Sequence, residues 1–232
     1  AFPHKYGHTI NTQALYYASL RFMGKSRLAK ELRDLINGNS KFPHLALFDR
    51  KRGFYLPWAW KDHDSDREEE HWFDSLGNLL AIVTGLATPH ITKSILRHIE
   101  KAKINKPFPV KAIYPPIVRG GRLWKSYFSK SDARKPYDYL NGGIWPFIGG
   151  FYVAALVKAK QNKKALDSLK DPELRNSNVE KLLDPYVELL ESLPENVREE
   201  RGLMSFQDFM ELHLAGIKED KLIEKKRRKG KQ

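Results

Sequence analysis

Two stretches set aromatic rings beside carboxylates and amides at short spacing: Trp58-Ala59-Trp60-Lys61-Asp62 and Tyr139-Leu140-Asn141-Gly142-Gly143-Ile144-Trp145-Pro146. A flat indole covers the C–H face of a sugar ring, while carboxylates, amides and imidazoles hold hydroxyls, so this mixture suits a carbohydrate. Asn141-Gly142-Gly143 permits a tight turn with positive φ, and Trp145-Pro146 then opens a helix whose first N–H groups are free for a hydroxyl. The same residues also read as packing tryptophans and an ordinary turn. Residue types alone leave both readings open.

Asp74 begins an apolar helical stretch, where the helix dipole favours a carboxylate with or without a ligand. Asp62, Asp64, Asp66 and Glu68 to Glu70 lie close to His63 and His71, but no metal-ligand spacing such as His-Glu-x-x-His occurs. The run therefore reads as a solvated acidic loop, and no metal is expected. His4 and His8 stand four apart in a loop containing Pro3 and Gly7, where no helix holds them on one face. The chain has no cysteine, which excludes disulfides and thiolate chemistry. No cofactor is expected.

These residues need elements to position them. Apolar periodicity predicts helices over 11–23, 26–36, 73–86, 88–101 and 145–160, with Asn37-Gly38 closing the second and Thr88-Pro89 opening the fourth. Segments 41–70 and 105–138 carry no 3.6-residue period and are rich in aromatics, as functional loops are. Only 111–114 and 45–48 look extended. The expected fold is all-α, with long loops on one face. Beyond residue 161 aromatic density falls and charge rises, and 179–193 and 205–217 read as amphipathic helices. The expected organisation is 1–161, a divergent helical segment 162–220, and a basic tail 221–232.

Of the net charge of +13, the tail residues Lys225, Lys226, Arg227, Arg228, Lys229 and Lys231 supply six, so the body reads as mildly basic. A solvated tail of this kind gives charge attraction without sequence specificity, and nucleic acid is not the expected partner. No run reaches about 18 apolar residues, the length a membrane span needs. No charged-then-apolar leader opens the chain, which points to a cytoplasmic location. The first residue is Ala1 and the chain enters directly into a loop, which reads as a fragment.

Four motifs in order carry a family resemblance: Tyr6-Gly7-His8-Thr9-Ile10-Asn11-Thr12-Gln13-Ala14-Leu15-Tyr16-Tyr17, Phe73-Asp74-Ser75-Leu76-Gly77-Asn78-Leu79-Leu80, Ile113-Tyr114-Pro115, and Tyr139 to Pro146. Over residues 5–160 they resemble the neutral/alkaline invertases of glycoside hydrolase family 100 and the glycogen-debranching glucosidases. The resemblance implies part of an (α/α)6 toroid and inverting hydrolysis of α-glucosidic bonds in an oligosaccharide or glucan. It implies sugar contacts from His8, Gln13, Trp58, Trp60, Asp62, Asp74, Asn78, Asn141 and Trp145. Leu140 departs from the pattern, which usually has histidine there.

Inverting hydrolysis uses two carboxyl groups, roughly 6.5–9.5 Å apart. The family's general acid precedes the stretch matched by 6–17, and no acidic residue stands there, so the acid is expected to be missing. Glu211, in Phe209-Met210-Glu211-Leu212-His213, is the candidate base. A catalytically silent carbohydrate-binding module is the competing expectation. An incomplete toroid would also leave apolar helix faces uncovered, which favours homo-oligomers.

Overall fold

The computed structural model describes residue 3 and residues 5–61, 66–107 and 109–169. Among these residues six helices alternate with short extended pieces. The strand β1 (His8–Thr9) leads into α1 (Ile10–Phe22), followed by α2 (Ser26–Ile36). The strands β2 (Phe48–Asp49), β3 (Phe54–Tyr55), β4 (Trp58–Trp60), β5 (Glu68–Glu69) and β6 (Phe73–Asp74) then lead to α3 (Ser75–Val83) and α4 (Pro89–Lys101). The strand β7 (Ile113–Tyr114) precedes α5 (Pro146–Lys158) and α6 (Asn162–Leu169).

The all-α expectation is corrected. Three small antiparallel sheets occur, β1-β4-β5, β2-β3 and β6-β7; β7 falls in 111–114, read as extended, β6 in the stretch read as helix, and β3, β4 and β5 in the segment 41–70 read as without period. Each strand is two or three residues long, too short for an alternating pattern to show. Their pairings join residues far apart in sequence, such as Thr9 with Trp58 and Asp74 with Ile113, and only the folded chain brings these together.

The helices form for local reasons. Thr9 caps α1 by accepting a hydrogen bond from the Thr12 N–H at 3.4 Å, and Ile10, Ala14, Tyr17 and Leu20 turn one face inward. Thr88 caps α4 by accepting from the Ile91 N–H at 3.3 Å, with Pro89 in its first turn. Every residue of α3 except Leu76 is buried, so this helix is the centre of the core, packed between α1 and α5. Gly77 makes the α1–α3 approach possible, because a β-carbon there would overlap Ile10 Cγ2. Ala165 of α6 belongs to the same core as α5.

Main-chain bonds through Ala112 link the start of α3 to the turn before α5, and Lys5 bonds to Asn11 and Asp74 at the starts of α1 and α3. The Ile10 N–H donates to the Pro57 carbonyl at 3.2 Å, the Ser75 N–H to Ala112 at 3.1 Å, and the Ala112 N–H to Gly143 at 2.9 Å. On its outer side α1 leaves Leu15, Tyr16, Phe22 and Met23 about half exposed or more. No helix among the described residues is long and apolar enough to cross a membrane.

Candidate functional site

Asp74 ends β6 and occupies the N-cap position of α3, yet its side chain makes no capping bond. Its Oδ2 accepts instead from the Lys5 ammonium at 2.6 Å. The carboxylate is buried, while the Lys5 side chain keeps about a quarter of its surface in water. Lys5 also donates to Asn11 Oδ1 at 2.7 Å and lies 5.6 Å from the centre of the Trp72 ring. An ammonium fixed by a carboxylate, an amide and an aromatic face is a rigid polar centre. Lys5 had no local signal in the sequence: it precedes the first element, and its partner lies 69 residues away.

The other candidate aromatic residues have partners of their own. Trp58 is buried with the Tyr6 ring edge-on at 5.1 Å, and its indole Nε1 has no hydrogen-bond partner among the described residues. Trp60, two residues along β4 and therefore on the same side of the strand as Trp58, is half exposed. Gly7 holds φ at +55° because a β-carbon there would strike the Ala59 carbonyl and the Trp60 ring. Trp145 caps α5, donates its Nε1–H to the Tyr139 carbonyl at 3.2 Å, and meets the Tyr139 ring edge-on at 5.0 Å.

The remaining expected residues divide by what their polar atoms already do. The His8 ring nitrogen Nε2 pairs with the Leu45 carbonyl at 3.1 Å. Burial lowers its pKa and outweighs that hydrogen bond, which favours the charged form. Gln13 is half-buried on α1 and makes no side-chain hydrogen bond among the described residues. Asn78 accepts from the Tyr55 N–H at 2.9 Å and donates to the Tyr55 and Asp74 carbonyls at 3.1 and 2.9 Å. Asn141 accepts from the Ile117 N–H at 2.7 Å and donates to the carbonyls of Ile117, Ala133 and Lys135. Both amides are buried and committed to the main chain. Asp62 and Glu211 lie outside the described residues, as do 179–193, 205–217 and the basic tail.

The Asn141-Gly142-Gly143 turn forms as its composition predicts. Gly142 holds φ at +88°, and a β-carbon on Gly143 would collide with the Tyr139 carbonyl. No group of three or more metal-ligating side chains occurs among the described residues.

One reading of the charge is corrected by counting it by segment. Residues 1–169 hold 28 Lys and Arg against 14 Asp and Glu, so the positive charge belongs to this part of the chain, and acidic residues beyond 169 offset the tail. Six of these cations against two acids lie between Val118 and Tyr139, shortly before the Asn-Gly-Gly turn.

Aromatic rings and a partly buried ion pair are residue types that suit a polyhydroxylated ring. The chain belongs to the alkaline and neutral invertase family, whose model matches residues 61–185. It is 32% identical over 105 residues to neutral/alkaline invertase 3, chloroplastic, of Oryza sativa subsp. japonica, covering 44% of this chain and 17% of that protein. It is likewise 32% identical to cytosolic invertase 1 of the same organism over 40% of this chain and 16% of the relative. To alkaline/neutral invertase E, chloroplastic, of Arabidopsis thaliana it is 35% identical over 33% of this chain and 12% of the relative. The matched stretches thus span about a sixth or less of these relatives.

Proposed function

We propose that the chain contributes the sugar-binding face of a glycoside hydrolase acting on α-glucosidic bonds by inversion, with Glu211 as general base. Family membership together with the Lys5–Asp74 pair at the start of α3 supports this reading. Trp60, Trp58, Tyr139 and Trp145 supply ring faces and edges, and Asp74 with the Lys5 ammonium engages hydroxyls. Asn78 and Asn141 act as positioning residues: one ties Tyr55 to the start of α3, the other closes the loop that carries Tyr139. His8 and Gln13 complete the contacts on the α1 side, and Asp62 those on the β4–β5 loop. The substrate is a small glucoside or a glucan, of the invertase or the debranching kind. The compartment of this reading is the cytoplasm, although the relatives include proteins named cytosolic, mitochondrial and chloroplastic.

A second reading, binding without turnover, is favoured by one observation. Asp74 is salt-bridged to Lys5 and Glu70 is held by Arg122 at 2.8 and 2.6 Å, so both buried carboxylates of the described site are engaged by cations. Glucose release from sucrose, maltooligosaccharides and glycogen by the purified chain separates the two. Turnover abolished by Glu211→Gln and weakened by Asp74→Ala supports the hydrolase. Saccharide binding without release leaves the binding module, and turnover unchanged in both variants removes the site assignment.

A further inference from the structure

The segment from Val118 to Tyr139 carries Arg119, Arg122, Lys125, Lys130, Arg134 and Lys135 against only two acids, Asp132 and Asp138. Arg122 is committed to Glu70, whose carboxylate it grips with both terminal nitrogens. The other five cations are exposed and make no ion pair or side-chain hydrogen bond among the described residues. Like charges gathered without internal partners oppose folding through their repulsion, and a bound anion relieves it.

This segment is ordered by its own contacts. Phe128, in the 3-10 turn Ser126–Lys130 that Lys125 and Lys130 bracket, is buried against Trp72, Ile113 and Ile117. Trp72 is the ring over which the Lys5 ammonium lies, so the basic segment adjoins the Lys5–Asp74 centre. The backbone beside Arg134 and Lys135 is held by Asn141 Nδ2, which donates to the Ala133 and Lys135 carbonyls at 3.2 and 3.1 Å. Tyr137 and Tyr139 of the same segment are exposed, and the Tyr139 ring meets Trp145 edge-on at 5.0 Å. Cations on a pre-ordered backbone bind an anion with only their side chains left to order.

We infer that the segment 118–139 is a subsite for the anionic group of a saccharide, a phosphate or a carboxylate, with Arg134, Lys135, Lys125 and Lys130 as its ligands. The inference rests on the saccharide reading above and narrows its substrate class. Nucleic acid is the less favoured polyanion, because the basic segment adjoins the Lys5–Asp74 pair through Phe128 and Trp72.

Binding of maltose, maltose 1-phosphate and a glucuronic-acid disaccharide to the full chain tests it by calorimetry at low salt. One phosphorylated or carboxylated probe should bind about tenfold tighter than maltose, the gain of one charge-assisted contact. Arg134→Gln with Lys135→Gln, and separately Lys125→Gln with Lys130→Gln, should reduce that preference and leave maltose binding unchanged. Equal affinity for maltose and both charged probes overturns the anionic subsite alone. No binding of maltose or of either charged probe overturns the saccharide reading and this inference together. Tighter binding of a random single-stranded oligonucleotide than of either charged sugar, lost in the same variants, overturns the inference in favour of a nucleic-acid surface.

Discussion

Lys5 Nζ lies 2.6 Å from Asp74 Oδ2, so a residue ahead of the first helix neutralises the carboxylate that begins the central one. The partners differ in burial: Asp74 is nearly sealed and Lys5 is partly hydrated. Removing Lys5 therefore leaves the costlier orphan. Lys5→Met is expected to destabilise the fold by about 2–4 kcal/mol, below the full range for a buried pair because Lys5 is partly wet. Asp74→Asn should cost less, and the double variant should recover part of the loss. Urea midpoints of the three variants measure this, and equal losses from both single changes would contradict it.

Asn141 closes the loop before α5 with four hydrogen bonds to main-chain groups. Asn141→Leu keeps the volume and strands the buried Ile117 N–H and three carbonyls, at about 1–3 kcal/mol for a group left unpaired. The expected result is a clear fall in Tm together with new protease cleavage between residues 118 and 140. Cleavage elsewhere would show that the loop is held by other contacts.

His98 lies 4.5 Å from the Phe54 ring and 5.2 Å from the Phe73 ring, centre to centre. Burial lowers its pKa from 6.5, and the nearby Lys101 charge adds to the effect. The unfolded chain then binds the proton more readily than the folded one. Stability from this residue is complete above about pH 6.5 and is lost as pH falls through the lowered folded value. His8 acts in the same direction. Denaturation midpoints should drop from pH 7.5 to 5.5, with a smaller drop in His98→Phe. An unchanged pH slope in that variant would assign the effect to other groups.

The outer face of α1, with Leu15, Tyr16, Phe22 and Met23, is the uncovered apolar surface that the expectation of homo-oligomers required. Sedimentation velocity of the full chain should show concentration-dependent association, reduced by Tyr16→Lys with Phe22→Glu. A monodisperse monomer across the concentration range would remove the proposal.

Helix positions were legible because their signals are local. Ser26–Ile36 and Pro89–Lys101 fall at the ends that Asn37-Gly38 and Thr88-Pro89 mark, and the Asn141-Gly142-Gly143 turn takes its expected positive φ. The expected helix over 73–86 shortens to Ser75–Val83 because Phe73 and Asp74 pair with Tyr114 and Ile113 as a strand. Among site residues, aromatic character was readable at Trp58, Trp60 and Trp145, but their exposure was not, since Trp58 and Trp60 share one side of β4 and differ only in what the rest of the fold packs over each ring.

The amino-acid sequence by itself determined the family, the helices and their caps, and the aromatic segments, because each depends on neighbours within a few residues or on motifs in fixed order. Tertiary structure alone decided which polar groups remain available. Asn78 and Asn141 spend their amides on main-chain groups 23 and 24 residues away, and Asp74 turns from capping its own helix to meet Lys5 across 69 residues. A hydrogen bond between distant residues leaves no period and no spacing in the chain, so its formation is set only where the backbone folds back on itself.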